Sequence, residues 1–270
     1  MEVVMSVSVS SLFIYPVKSL GPVVLDSVQI GRFGPYMDRR FMLVDESGKF
    51  YTQRQDARLS QFKVELQPDS LKVIAPDGEM CAIPFTDIAA KPCLAVQVWD
   101  DTVLACVLPA EVDAWFSRKL GKNLRLVFIP DDAQRQVDLQ YARTGDVTSF
   151  NDGFPALLLS EASVAALQAD AGFALSPLRF RPNILISGCD AFAEDGWRQI
   201  KVGEVLFDVV KPCSRCVIPT IDPATGLRQS EVMAALLKQR KKDNKVYLGQ
   251  NLIQRSQGIV RLGDKVEIIR

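Results

Sequence analysis

The sequence predicts a mainly β fold with a few helices, and two observations support this. Short apolar runs recur along the chain, and residues 23–30 alternate apolar and polar side chains with the period of a half-buried strand. Turn-forming Gly, Pro, Asp and Asn residues separate the runs. Many short strands joined in this way are typical of an antiparallel β-barrel or sandwich.

The first half of the chain contains most of the predicted strands. They cover residues 4–15, 23–30, 39–44, 50–55, 62–66 and 71–75, followed by two strands within 96–108 and one at 124–129. A helix is predicted to open at Pro109, because Val112, Trp115, Phe116 and Leu120 fall on one helical face, and Gly121 marks its end.

The second half alternates strands with two short helices. Ser160 is the predicted N-cap of a helix over residues 161–168, and a second helix covers 231–238. Strands are predicted at residues 154–159, 184–186, 197–202, 203–210, 247–252 and 260–268.

A polar segment at residues 131–146 lacks clear periodicity and is interpreted as a connector. We therefore predict two domains, at residues 1–130 and 131–270. The alternative is that the connector is a mobile loop over a site.

Composition limits the possible functions. Lys plus Arg equals Asp plus Glu at 32 each, which gives no indication of a nucleic-acid partner. No apolar run approaches the roughly 18 residues that a membrane span needs, so no membrane partner is expected. Six scattered cysteines in 270 residues are too few for a disulfide scaffold, which favours a reduced, cytoplasmic setting.

The segment 211–223 carries the most specific chemistry. Cys213 and Cys216 flank Arg215, and a neighbouring arginine favours the thiolate, which attacks electrophiles and binds metals. The chain has no histidine, which excludes a Ser-His-Asp triad. A zinc site without histidine would need four cysteines, and there is one Cys-x-x-Cys pair. A redox pair and a single metal anchor both remain open on these residues.

Basic residues near predicted strand ends could form an anion site, although each could also be a solvated surface charge. The group comprises Lys18, Arg40, Arg54 and Arg58, with Ser19 beside them. In the second half, Pro182 is expected to hold Arg181 in an extended conformation, next to the amide of Asn183.

Several segments, in order along nearly the whole chain, resemble the MOSC family, named for the C-terminal domain of molybdenum-cofactor sulfurases. The similarity is to the branch that includes the amidoxime reducing components and the bacterial proteins that confer resistance to hydroxylaminopurine. The matching segments are residues 15–19, 38–41, 54–55, 152–155, 160–163, 180–183, 211–216 and 249–251. The resemblance implies a β-barrel MOSC domain packed with an N-terminal β-barrel-like MOSC_N domain.

The resemblance also implies a molybdenum cofactor, a pyranopterin dithiolene with a terminal phosphate. Cys216 would be the thiolate ligand of the metal, a soft ligand, while Cys213 would support the loop. The implied cofactor contacts are Lys18, Ser19, Arg40, Arg181, Asn183, Ser214 and Arg215, with Arg54 and Gln55 as weaker candidates. Gly153 and Phe154 stand where mitochondrial members have a Thr-Ser pair.

The implied activity is reduction of N-hydroxylated compounds, such as amidoximes, hydroxylamines and N-hydroxylated bases, to amines. Asp222 is a candidate proton donor beside the catalytic Cys216. No ferredoxin domain follows the MOSC segments, so a separate ferredoxin-like protein or flavin reductase is expected to supply electrons. The alternative is a carrier of molybdenum cofactor, or of a persulfide on Cys216 received from a pyridoxal-phosphate-dependent cysteine desulfurase. A non-enzymatic interaction module would leave the ordered basic, Asn and Cys positions unexplained.

Overall fold

The computed structural model describes residues 6–86, 88 and 91–270, and the predicted mainly β fold with a few helices is confirmed. The first two residues of the predicted strand at 4–15 lie outside the described residues. No helix of the described residues is long and apolar enough to cross a membrane.

The strands and helices are numbered in chain order. The strands are β1 (Ser8–Ile14), β2 (Val23–Leu25), β3 (Ser27–Gly31), β4 (Gly34–Pro35), β5 (Phe41–Val44), β6 (Lys63–Leu66), β7 (Ser70–Ile74), β8 (Met80–Pro84), β9 (Cys93–Val98), β10 (Asp101–Val107), β11 (Arg125–Phe128), β12 (Ala156–Ser160), β13 (Ile184–Ser187), β14 (Gln199–Val202), β15 (Val205–Ser214), β16 (Lys241–Lys242), β17 (Lys245–Gln254), β18 (Gly258–Arg261) and β19 (Val266–Ile268). The α-helices are α1 (Ala110–Leu120), α2 (Glu161–Ala171) and α3 (Ser230–Arg240).

A nine-stranded sheet organises the second half of the chain. Its order is β19-β14-β15-β17-β12-β13-β1-β2, and β16 pairs with β17. β12 and β13 are parallel and are connected through α2, whereas β1 joins β13 in antiparallel fashion. The N-terminal strands β1 and β2 therefore belong to the sheet of the second half, and strand pairing crosses the predicted boundary at residues 130 and 131.

The remaining strands of the first half form smaller sheets, one of which includes β18 of the second half. One has the order β5-β11-β10-β9, and the others are β6-β7-β8 and β18-β3-β4. A continuous apolar core that includes Leu12, Phe41, Leu126, Leu158 and Leu252 joins these sheets to the large one. Burial of this core supplies the main driving force that holds the two halves together.

The helix boundaries follow their capping residues. α1 ends at Gly121, whose φ of 69° lies in the left-handed region that glycine tolerates. The Ser160 side chain accepts a hydrogen bond from the backbone N–H of Ser163, as expected for an N-cap. Val164 of α2 and Leu236 of α3 share a second apolar cluster with the large sheet.

The predicted strand at residues 50–55 is wrong, because Phe50 forms only an isolated bridge with Val44 and residues 53–55 form a turn. The side chain of Gln53 donates to the carbonyl of Ser19, and the Thr52 hydroxyl donates to Gln55. These side-chain bonds replace strand pairing, and the turn presents Arg54 toward the cleft described next.

Candidate active site

A cleft of about 130 Å³ lies between the turn after β1 and the end of β15. It opens onto a groove of about 600 Å³, and the two share Arg54, Asp152 and residues 213–216, which are called the cysteine loop below. Eight of the ten residues predicted to bind the cofactor or its metal line the cleft: Lys18, Ser19, Arg54, Arg181, Asn183, Ser214, Arg215 and Cys216. Gln55, a weaker candidate, lies outside the cleft, and its side chain accepts a hydrogen bond from Thr52. The structure thus gathers residues that are distant in sequence.

The side chain of Arg215 anchors the cysteine loop to the backbone of neighbouring segments. Its guanidinium donates hydrogen bonds of 2.9 and 2.6 Å to the carbonyl of Leu248 and one of 2.9 Å to that of Phe180. Gly249 permits β17 to pack closely against β12, since a Cβ there would lie 2.6 Å from the carbonyl oxygen of Leu158. With φ of 72°, Gly249 also has a backbone conformation that other residues adopt with strain.

The Cys216 side chain is exposed at the edge of the cleft. Arg54 Nη2 lies 3.4 Å from its Sγ, and the same guanidinium stacks over the Trp99 ring at 4.6 Å from the centroid. The cation beside the thiol is therefore Arg54, not Arg215 as the sequence had suggested. Burial raises the pKa of the Cys213 thiol, which favours its protonated form.

Lys18 is a buried cation in the lining of the cleft. Its Nζ donates to the carbonyl of Phe150 at 2.7 Å and to Asp152 Oδ1 at 2.6 Å. Burial lowers the pKa of Lys18 to about 8, although Asp152 opposes the shift. Partial desolvation works against ionisation of Asp152, whose side chain is 58% exposed, but the charges of Lys18 and Arg54 hold its pKa well below the usual range.

Arg181 has one guanidinium nitrogen that is available to a ligand. Nη1 donates to the carbonyl of Leu20 at 2.8 Å, and the group stacks 4.0 Å from the Tyr15 ring centroid. Nη2 is buried and has no hydrogen-bond partner. Burial, reinforced by Arg39, lowers the pKa of Arg181 to about 10, so the group remains charged at neutral pH.

The predicted extended conformation of Arg181 is wrong. Its φ of 54° and ψ of 49° are left-handed, and its N–H closes the preceding 3-10 turn by bonding to the carbonyl of Leu178. Asn183 lines the cleft, but its side chain already bonds to Phe13, Leu157 and Arg39, and so it ties β1 to β12.

Besides Gln55, two predicted site residues lie elsewhere. Arg40 donates to the carbonyl of Ile129 and pairs with Asp131, so its guanidinium is used away from the cleft. Asp222 pairs with Arg179 at 2.7 Å and accepts the N–H of Ala224, and it lines neither the cleft nor the groove. The structure therefore corrects the placement of both residues.

Sequence reasoning missed three charged residues that do line the cleft: Arg39, Asp152 and Arg179. Arg39 adjoins the predicted Arg40, and Asp152 is the first residue of the segment 152–155, which carries part of the family resemblance. The sequence alone does not tell which of two adjacent side chains points into the cleft. The cations of the lining are Lys18, Arg39, Arg54, Arg179, Arg181 and Arg215, against the single carboxylate of Asp152.

Such a surplus of cations suits an anionic ligand, because guanidinium groups pair with phosphate oxygens and Lys18 adds a point charge. Among the described residues, no group of three or more Cys, Asp or Glu side chains could hold a metal alone. A metal at Cys216 would therefore need further ligands from a bound group.

Comparison with known proteins connects this geometry to two domain families. The model of the MOSC N-terminal beta barrel domain matches residues 6–123, and the model of the MOSC domain matches residues 145–267. The chain is 29% identical over 280 residues to mitochondrial amidoxime-reducing component 1 of Mus musculus, covering 97% of this chain and 82% of that protein.

A second relative is mitochondrial amidoxime reducing component 2 of Rattus norvegicus, 31% identical over 231 residues, with 82% of this chain and 68% of that protein covered. Among solved structures, the YUAD protein from Bacillus subtilis aligns with a TM-score of 0.44 and 11% identity, over 97% of this chain and 94% of that one.

Proposed function

The chain belongs to the MOSC family, with an N-terminal MOSC β-barrel domain, and from this premise we propose that it is a molybdenum-cofactor-dependent reductase of N-hydroxylated compounds. The proposed substrates are amidoximes, hydroxylamines and N-hydroxylated bases, which would be reduced to amines. The observation that carries the proposal is the meeting of an exposed thiol, Cys216, with a cation-lined cleft. The names of the relatives support the reaction class.

The residues of the cleft fit the proposed cofactor in two ways. Cys216 offers the soft ligand that suits molybdenum. The partnerless Nη2 of Arg181 offers a buried donor to an anionic group, and Lys18 offers a charge. Ser19, Asn183, Ser214 and Arg215 complete the proposed binding set. When bound, the cofactor supplies the two-electron chemistry of the reduction.

The chain itself positions and tunes the site. Arg54 places its positive charge beside the Cys216 sulfur, at an Nη2–Sγ distance of 3.4 Å, where it attracts an anionic group. Arg215 and Gly249 hold the loop so that the thiol faces the cleft. The groove admits substrate beside Trp99, whose side chain stays 39% exposed and offers an aromatic surface.

Electrons are proposed to come from a separate protein, either ferredoxin-like or a flavin reductase. The experiment is purification from a host that makes molybdenum cofactor, followed by metal analysis and reduction of benzamidoxime with an artificial electron donor. Cys216→Ala should lose activity, whereas Cys189→Ala, which alters a cysteine outside the cleft, should keep it. Full activity of Cys216→Ala would refute the proposal.

A second candidate function follows from the exposure of the Cys216 thiol. An accessible thiol beside a cation could carry a persulfide delivered by a pyridoxal-phosphate-dependent cysteine desulfurase. Persulfide trapping, combined with metal analysis of the same sample, separates the two functions. Sulfane sulfur on Cys216 without molybdenum would favour the carrier.

A further inference from the structure

Two cysteines outside the cleft lie directly opposite each other in the β9–β10 hairpin. Cys93 and Cys106 form a cross-strand pair in the antiparallel register of these strands. The adjacent pair is hydrogen-bonded, since Val107 donates its N–H to the carbonyl of Pro92 at 3.0 Å. In an antiparallel ladder, hydrogen-bonded and non-hydrogen-bonded pairs alternate, so Cys93 and Cys106 occupy a non-hydrogen-bonded site, where side chains approach most closely.

The two sulfur atoms are already in contact. Their separation is 2.9 Å, so closing to the roughly 2.05 Å of a disulfide requires a movement of about 1 Å. The Cα spacing typical of a non-hydrogen-bonded pair, about 4.5 Å, falls at the short end of the range that disulfides span. Backbone rearrangement is therefore not needed.

The two thiols differ in accessibility. Cys93 is exposed on β9, the edge strand of its sheet, whereas Cys106 is buried in the core. Burial and the hydrogen bond with Cys93 raise the pKa of the Cys106 thiol to about 12. An oxidant from solution thus meets Cys93 first, and Cys106 is the neighbour that can complete the reaction.

We propose that Cys93 and Cys106 are a redox modification site that forms a reversible cross-strand disulfide, with a low-molecular-weight disulfide such as oxidised glutathione as the oxidant.

The exchange proceeds in two balanced steps. The Cys93 thiolate attacks one sulfur of the oxidant, forms a mixed disulfide and releases one small thiolate. The Cys106 thiolate then attacks the Cys93 sulfur, closes the protein disulfide and releases the second small thiolate. The protein loses two electrons, the oxidant gains them, and the two protons from the cysteines end on the released thiols.

The disulfide would fix the end of the hairpin opposite its turn. That turn carries Trp99, whose Nε1 donates to Asp152 Oδ1 at 3.2 Å beside the cleft. Oxidation would therefore lock the register of the two strands that place Trp99, without using any residue of the proposed catalytic set. Because the Cys93 sulfur of this disulfide is exposed on an edge strand, a thiol from solution can attack it and reduce the bond again, which suits a reducing compartment.

Mass spectrometry of the unaltered full-length protein tests the inference directly. After treatment with oxidised glutathione and alkylation of the remaining thiols, cleavage before Asp100 separates the two cysteines unless they are bonded. We expect linked peptides containing Cys93 and Cys106, lost after reduction. Glutathione that stays on Cys93, with no linked peptide, would overturn the proposal.

Two variants identify the order of attack. Cys106→Ser should accumulate the mixed disulfide on Cys93, and Cys93→Ser should leave Cys106 unmodified. Because Cys106 is buried and its variant could fold poorly, the exposed Cys93→Ser variant and the unaltered protein are decisive on their own. Cys81, on β8, is the internal control and should not appear in a linked peptide with either cysteine. Equal linkage of Cys81 would indicate random oxidation and refute the site.

Discussion

Asp152→Asn is expected to lower the free energy of unfolding, because it leaves Lys18 in the cation-lined cleft without its counter-charge. The Lys18 side chain is 6% exposed and Asp152 is 58% exposed, so the pair is intermediate between a buried and a surface ion pair. Loss of one partner costs about 3–5 kcal/mol in a buried pair and about 0–1 kcal/mol at the surface. We expect a loss of about 2 kcal/mol in the free energy of unfolding, roughly a 30-fold change in the folding equilibrium.

The stability lost in Asp152→Asn should become smaller as the pH rises. The folded-state pKa of Lys18, about 8, lies below its ordinary value, so folded Lys18 loses its proton before unfolded Lys18 does. As pH rises toward and past about 8, the ion pair disappears in the unaltered protein, and the deficit of Asp152→Asn should shrink.

Urea unfolding at about pH 6 and about pH 9 measures both effects. Asp100→Asn, which alters an exposed carboxylate in the same groove, is the matched control and should change stability little. Equal stability of Asp152→Asn and the unaltered protein at the lower pH would refute the reasoning, and so would a deficit that grows with pH.

Three further predictions concern the loop and its support. Arg54→Met removes the guanidinium that lies 3.4 Å from the Cys216 sulfur and attracts anions to it, so alkylation of Cys216 by the anionic reagent iodoacetate should slow about threefold to tenfold. Arg32→Met, at an exposed arginine outside the cleft, should leave the rate unchanged, and a similar slowing there would contradict the assignment. Gly249→Ala should lower the free energy of unfolding by about 3 kcal/mol or more, because strain at positive φ adds to a clash with Leu158. Gly263→Ala has the strain without the clash and should lose only about 1 kcal/mol; equal losses in urea unfolding would show that the contact is unimportant. Arg215→Lys cannot reproduce the fork to Leu248 and Phe180 and should lose about 1–3 kcal/mol, whereas Arg261→Lys, at an exposed position, should lose almost nothing in the same measurement.

Local signals in the sequence predicted the three helices and two of their boundaries, the end of α1 at Gly121 and the start of α2 after Ser160. The other predicted ends, at residues 168 and 238, fall short of Ala171 and Arg240. Gly121 and Ser160 act through their own backbone and side chain, so their roles as caps depend little on distant residues. The turn at residues 53–55 was missed because Gln53 bonds to Ser19, a contact 34 residues away that no local pattern encodes.

The sequence predicted which residues belong to the site more successfully than it predicted how their side chains are arranged. Motif order brought out Cys216, Lys18 and Arg181, all of which line the cleft. The choice between Arg39 and Arg40 depended on backbone conformation, since Arg39 has φ of 50° and turns its side chain toward Asn183. The pairing of Cys93 with Cys106 depends on strand register, and a slip of one residue would place the two side chains on opposite faces.

The position of β1 in the large sheet has a consequence for how the chain is made. β1 lies between β2 and β13, and a hydrogen bond from Asn183 to Phe13 in that region spans 170 residues. During synthesis, β1 leaves the ribosome about 170 residues ahead of β13, so this edge of β1 stays uncovered until β13 has also been made. Contacts between residues so far apart in sequence slow folding, and an apolar strand with an unpaired edge is prone to aggregate in the meantime. Premature termination near the middle of the chain would therefore release a fragment whose first strand lacks its β13 partner.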